Sequence, residues 1–153
     1  MTSSPTARLR ELGLTLPDVP RPAGRYVHAV RSGQLLFLAG KGPTGVSGKI
    51  GRDFTAAEGY QFARLAGLQL LAVVAEEIGS LDRVTRIVKV SGFVNAVPEF
   101  AEHPAVVDGC SDLLIDVFGE RGRHARTSIG VSSTPFQIPV EIDLIVECEA
   151  WSP

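Results

Sequence analysis

A chain of 153 residues, 44% hydrophobic and 21% charged, has the size and composition of one globular domain with its own core. Its formal charge of −2 offers no bulk attraction to nucleic acid or an anionic membrane. No run reaches the ~18 consecutive apolar residues of a membrane-spanning helix.

The opening MTSSPTARLRELGLTLP lacks the apolar stretch of a secretion signal, so the expected location is cytoplasmic. Residues 1–24 carry four prolines and a short apolar-charged run at 7–14. They read as an N-terminal arm before a single domain at 25–153. From Tyr26, YVHAVR and QLLFLAGK are two β-rich runs parted by Ser32-Gly33, a hairpin signal. The segment GKGPTGVSGKIG follows, with five glycines in twelve residues. A phosphate-cradling loop needs four residues between its first glycine and the Gly-Lys pair, then Ser or Thr. Here five residues separate Gly42 from Gly48, and Ile50 follows the lysine. The segment is therefore read as a flexible connection.

Thr55 and Glu58 form a capping box that opens a helix at Ala56. Phe62, Ala66, Leu70 and Val73 form its apolar stripe, and Gly79 is its expected stop. Gly59 and Gly67 are expected to let that helix approach a sheet closely. VTRIVKVSGFVNAV at 84–97 is β-branched and reads as a long strand. Pro104 suits the first turn of a second helix, whose Val106, Val107, Cys110, Leu113, Leu114, Val117 and Phe118 recur at three and four and which Gly119 ends. Two strands close the chain. The order β-β-α-β-α-β-β implies α+β architecture, a mixed sheet with two helices on one face.

Cys110 and Cys148 are read as buried structural thiols, because neither fits a metal or redox spacing. No metal site is expected from three scattered histidines. His28 and His124 read as surface histidines on a strand and a loop, and Trp151 as packing on a neighbour or the arm.

The stretch HARTSIGVSSTPFQIPVEIDLIVE (124–147) reads as a hairpin turning at Ser133–Phe136. In that register Ile129 faces Val140, Val131 faces Ile138 and Thr127 faces Ile142, giving an apolar face for the helices. The other face carries Arg126 opposite Asp143, Ser128 opposite Glu141 and Gly130 opposite Pro139. Arg126 and Glu141 become diagonal neighbours about 7–8 Å apart. A guanidinium can grip a carboxylate through two parallel hydrogen bonds, and a nearby acid can activate water.

GRYVHAV (24–30), GQLLFLAGKGP (33–43), EEIGSLDRVTRIVKVSGFV (76–94), PEFA (98–101) and ARTSIGVSSTPFQIPVEIDLIV (125–146) together resemble the YjgF/RidA family of reactive-intermediate enamine and imine deaminases. The resemblance covers about four fifths of the chain and is to a longer branch of the family. It implies a chorismate mutase-like fold, a homotrimer with sites in clefts between subunits, and no cofactor. It also implies hydrolysis of species such as 2-aminoacrylate and 2-iminopropionate to 2-keto acids and ammonia. By residue, Arg126 matches the family's carboxylate-binding arginine and Glu141 its water-associated acid. Tyr26 matches a pocket tyrosine, Ser128 a position held by Cys or Ser, and Gly40 a ligand-approaching glycine. Ala39 replaces a common serine. The alternative reading is a non-catalytic protein that binds small carboxylates such as 2-keto acids. Endoribonuclease activity, reported for some relatives, draws only on the cations of ERGRHAR (120–126), and the net charge opposes a nucleic-acid partner.

Overall fold

The computed structural model describes residues 2–150; Trp151 lies outside them. The elements are α1 (Pro5–Glu11), β1 (Ala29–Ser32), β2 (Leu35–Leu38), α2 (Ala56–Ile78), β3 (Val84–Asn95), α3 (His103–Phe118), β4 (Ala125–Val131) and β5 (Val140–Cys148), with three short 3₁₀ turns. The N-terminal α1 is capped by Ser4 and buries Leu9 in the core. It is tied to distant chain by Thr6, whose amide donates to Asp82, and by Arg8, whose Nε donates to the Asp116 carbonyl.

α2 has the capping box the sequence specifies: the Glu58 amide donates to Thr55 Oγ1 and the Thr55 amide donates to Glu58. Such a cap is worth about 1 kcal/mol. Gly79 ends the helix at φ 87, a conformation that costs a glycine little. α2 and α3 share one layer and touch through their glycines. Gly59 lies against Val106, Gly67 against Leu113 and Cys110, and Gly109 against the Tyr60 backbone. The glycines of α2 thus serve the neighbouring helix, where the sequence reading assigned them to a sheet. Cys110 is fully buried in that seam, and burial pushes its thiol up to about 12. Cys148 is also buried, and both thiols are free, as the sequence reading expects.

The sheet runs β1-β2-β5-β3-β4, and β4 pairs parallel with β3 while the other neighbours are antiparallel. This corrects the expected C-terminal hairpin. β4 and β5 never touch as partners, because β3 lies between them and pairs with both. The cause is connectivity. A strand, a helix and a strand joined in succession place the second strand parallel to the first, so β4 comes to rest beside β3 at the sheet edge. The chain then crosses over β3 through residues 132–139 before β5 begins.

Across β2, β5 and β3 the helix-facing side of the sheet is a continuous apolar layer. Leu36, Val146 and Ile87 form one row and Val90 and Leu144 another, all at most 1% exposed. Burying one such side chain contributes about 1.5–3 kcal/mol. The opposite side has no covering layer among the described residues and exposes Val30, Phe37 and Ile129 at 54%, 42% and 45%. The β1–β2 turn is Gly33-Gln34, one residue later than the expected break, since Ser32 pairs with Leu35.

The glycine-rich connection is anchored, contrary to the flexible segment expected. Ile50 is fully buried and bridges to Phe54 and Ala96. Lys49 Nζ donates to Asn95 Oδ1 at 2.6 Å and to the Ser132 carbonyl at 2.5 Å.

A methyl group at Gly109 would overlap the Tyr60 carbonyl oxygen of α2, and backbone cannot yield as a side-chain tip does. Gly109→Ala is expected to lower unfolding stability by about 3 kcal/mol, the upper range for overpacking, as read from a denaturant midpoint. Wild-type stability in that variant would show that the two helices are not held at this separation.

Candidate functional site

A cavity of about 690 Å³ opens beside the β2–β5 junction. Tyr26, Gly40 and Glu141, named separately by the sequence reading, all line it, as do His28 and Lys41. Gly40 has a specific steric role. A Cβ there would stand 2.9 Å from Glu141 Cδ, so only a residue without a side chain leaves the carboxyl its place.

Glu141 titrates above its ordinary 4.5 because burial disfavours the carboxylate; the neighbouring Asp143 adds to the rise and the Lys41 ammonium opposes it. Lys41 is only 9% exposed. Its ammonium has one hydrogen bond among the described residues, to the adjacent Gly40 carbonyl at 3.3 Å. Desolvation holds its basicity below normal, and Glu141 partly offsets that. His28 is a wall residue of this cavity and not a free strand-surface histidine. Its Nε2 hydrogen-bonds the Pro20 carbonyl, which can only accept, so Nε2 carries the proton. The buried Nδ1 has no hydrogen-bond partner among the described residues. Tyr26 packs edge-on to His28 with ring centroids 6.4 Å apart and accepts from the Ala23 amide at 3.3 Å.

One rim of the cavity is strained. Phe136 and Gln137 have φ 57 and 55, and left-handed backbone at a non-glycine residue costs about 1–2 kcal/mol. The network around Asn95 offsets this cost. Asn95 donates to the Gly48 carbonyl and to Gln137 Oε1, and the Gln137 carbonyl accepts from the Gly48 amide. Phe136 is left 79% exposed above the cavity.

Arg126 and Ser128 are not in this cavity. Arg126 aligns with Val90 and Leu144, and Ser128 with Gly92 and Ile142, so both face the helices. Glu141 aligns with Phe93 and Ile129 on the open side. The expected diagonal contact of Arg126 with Glu141 is therefore absent within one chain, since the two side chains lie on opposite faces. The β5 faces follow the sequence reading; those of β4 are inverted. Without a hairpin partner, the alternation of β4 is set by its parallel register on β3 and by α3 above it.

Arg126 sits in a network of its own. Its Nη1 donates to Asp108 Oδ1 at 2.7 Å and Ser111 Oγ at 3.0 Å, while Nη2 makes a long contact of 3.4 Å to the Pro104 carbonyl. His124 Nδ1 lies 2.6 Å from the Gly122 carbonyl and Nε2 lies 2.9 Å from Ser111 Oγ. Since the carbonyl accepts, Nδ1 holds the proton and Nε2 accepts from the serine. Burial, then the backbone bond in opposition, and the Arg126 charge leave His124 pushed below its usual value, which fits this neutral tautomer. His124 is thus a half-buried link in a chain of hydrogen bonds and not a surface loop residue. Among the described residues, the edge of Arg126 formed by Nε and Nη2 keeps only that long contact, and a small depression of about 230 Å³ adjoins the side chain. The buried Ser128 hydroxyl has no hydrogen-bond partner among the described residues.

The cations of ERGRHAR do not form a basic patch. Arg121 donates to the Val84 carbonyl, Arg123 pairs with Glu120 and Arg126 with Asp108. No group of three or more potential metal-ligating side chains occurs among the described residues. Asp108, Ser111, Lys41 and the structural Asn95 escaped the sequence reading. A signal existed for the first two: spaced by three on a helix between parallel strands, they had to overlook the strand that follows.

The whole fold has relatives. The chain matches the family model described as "YjgF/chorismate mutase-like, putative endoribonuclease" over residues 6–147. It is 42% identical over 147 residues to Protein TCP17 of Trypanosoma cruzi, covering 92% of each chain. The Agrobacterium tumefaciens protein Atu1372 superposes with a TM-score of 0.88 at 40% identity, over 95% of this chain and 92% of that one. A Shewanella oneidensis protein solved as a "putative endoribonuclease" superposes with a TM-score of 0.91 at 34% identity, over 95% and 99% of the two chains. With most of its length matched in sequence and in backbone, the chain belongs to the YjgF/RidA family and has that family's chorismate mutase-like α+β fold.

Proposed function

We propose that this protein hydrolyses small carboxylate-bearing imines and enamines to 2-keto acids and ammonia, in a cleft formed between copies of the chain. One copy contributes Glu141, Tyr26 and Gly40; the next contributes Arg126 and Ser128 from the free edge of β4. The observation that carries the reading is the Glu141 carboxyl, lodged against Gly40 in a cavity of about 690 Å³ in a member of this family. The opposite-face placement of Arg126 supports a shared cleft, because a single chain cannot bring the two groups to one ligand. The uncovered sheet face with Val30, Phe37 and Ile129 supports assembly as a homotrimer, which would cover it.

The chemistry asks little of the protein. The carbon of a protonated imine is electrophilic, so the site must hold the carboxylate, place a water and exchange protons. Asp108 and Ser111 hold Arg126 by one nitrogen and leave its Nε–Nη2 edge for a carboxylate, the bidentate geometry that makes such grips strong. A Glu141 carboxyl that protonates more readily than usual can give a proton to the departing amine and take one from water. Neither step calls for a metal or an organic cofactor.

Ammonia release from 2-iminopropionate, generated in situ by an amino-acid oxidase, tests the reading. Glu141→Gln is expected to lower kcat by about 100-fold or more. Arg126→Ala is expected to lower kcat/KM about 100-fold, the scale of ~3 kcal/mol for a lost hydrogen bond to charge. Wild-type rates in Arg126→Ala would sink the deaminase. Thermal protection by pyruvate without turnover would instead support a non-catalytic 2-keto acid binder. A monomer by sedimentation equilibrium would remove the shared cleft.

The acid itself supplies a second test. Because the Glu141 proton is held more tightly in the folded than in the unfolded protein, the stability it contributes is complete below the unfolded value and lost as pH rises through the folded one. Its midpoint, followed by side-chain carboxyl NMR, is expected above 4.5 and should fall in Asp143→Asn, which deletes a like charge. An unchanged midpoint in that variant would show that Asp143 does not act on Glu141.

A further inference from the structure

Basic residues in this chain are overwhelmingly arginine, with twelve against three lysines. Two of the three lysines have evident structural partners. Lys49 is held between Asn95 and the Ser132 carbonyl, and Lys89 donates to Thr127 Oγ1 at 2.9 Å. Lys41 is different. It is buried in the wall of the Glu141 cavity, and the only hydrogen bond of its ammonium among the described residues goes to the neighbouring Gly40 carbonyl. No carboxylate lies within 4.0 Å of its ammonium among the described residues. Burying an ammonium with so few hydrogen-bond partners is costly, and the attraction of Glu141 offsets that cost only in part. Asn95 and Lys49 already anchor the adjoining loop.

We propose that Lys41 is a nucleophilic amine which forms a covalent Schiff base with the C2 carbon of the small imine or 2-oxo acid bound beside Glu141. An amine raised from its normal solvation in this way is the state in which lysine attacks carbonyl-type carbon. Its lowered basicity, caused first by desolvation, enlarges the neutral fraction that can react. With a protonated imine, the Nζ lone pair adds to C2 and the C=N π pair moves to the substrate nitrogen. One proton then passes from Nζ to that nitrogen by way of Glu141, the C2–nitrogen bond breaks to release ammonia, and the Nζ lone pair closes a protonated C=N bond to C2. Water then adds to C2, the C2–Nζ bond breaks with the proton returning to Nζ, and the 2-keto acid is released. With a 2-oxo acid the same Schiff base forms by loss of one water. Glu141, on the same cavity wall, is the proton donor and acceptor for both directions. The inference rests on the proposed deamination for its nitrogenous substrate only; condensation with an oxo acid does not need it.

Reductive trapping of the full-length protein tests the inference. Incubation with pyruvate and cyanoborohydride is expected to add the mass of one pyruvate less one oxygen, on the peptide bearing Lys41, with Lys49 and Lys89 unlabelled. Lys41→Met should lose the label and Glu141→Gln should slow it. No adduct, or labelling of all three lysines alike, would overturn the inference, and wild-type peptide mapping decides this even if the variants fold poorly. The two readings fail separately. Hydrolysis of 2-iminopropionate at an undiminished rate by Lys41→Met, without adduct, sinks the Schiff base and leaves the deaminase. A Lys41 adduct in a protein that releases no ammonia sinks the deaminase and leaves a covalent oxo-acid site.

Discussion

The two-sided pairing of β3 is the constraint on which the rest of the molecule depends. Its twelve residues, Val84–Asn95, are hydrogen-bonded along one edge to β4 and along the other to β5. Buried positions recur along its length, so it presents one side to both helices. Because β3 is central, β4 is an edge strand and β5 an interior one, and the side chains of the two are set against different neighbours. The far end of β3 also delivers Asn95, fully buried, which fastens the glycine-rich connection and the strained Phe136-Gln137 corner to the sheet.

That arrangement divides the polar chemistry in two. Glu141, Lys41, His28 and Tyr26 share a cavity walled by glycines and an anchored loop, with Glu141 on the open side of the sheet. On the helix side, Arg126 is held by Asp108 and by a serine that donates to a neutral histidine. The first group can move protons and the second can hold an anion. Neither alone does both, and within one chain the sheet keeps them apart. An arginine fixed by one nitrogen loses less rotamer freedom on gripping a ligand than a mobile one would.

The cavity is also a place where burial sets ionisation. Glu141 is pushed up and Lys41 down by the same cause, loss of water, and their mutual attraction only partly reverses it. Loss of water disfavours the charged form of both groups. Gly40 makes that burial possible by leaving room for the carboxyl.

Local rules written in the sequence were enough for much of the fold. The capping box and Gly79 bound α2, the three-and-four recurrence gives α3 and its buried Cys110, and alternation gives the β5 faces, with Val140, Ile142 and Leu144 inward and Glu141 and Asp143 outward. The family signature, carried by short motifs in order, was legible too, and through it Tyr26, Gly40 and Glu141 were each named before the cavity brought them together. What the sequence left undecided was which strands become neighbours. β4 and β5 are adjacent along the chain and each alternates well enough to pair with the other, and nothing local in 124–147 forbids a hairpin. Only the packing of α3 against the sheet, which carries β4 across to the far side of β3, settles that competition. The faces of Arg126 and Ser128, and the partners Asp108, Ser111 and His124, follow from it. Alternation fixes which residues share a side, but a strand's neighbours are chosen by long-range burial and connectivity, and these exist only once the whole chain has folded.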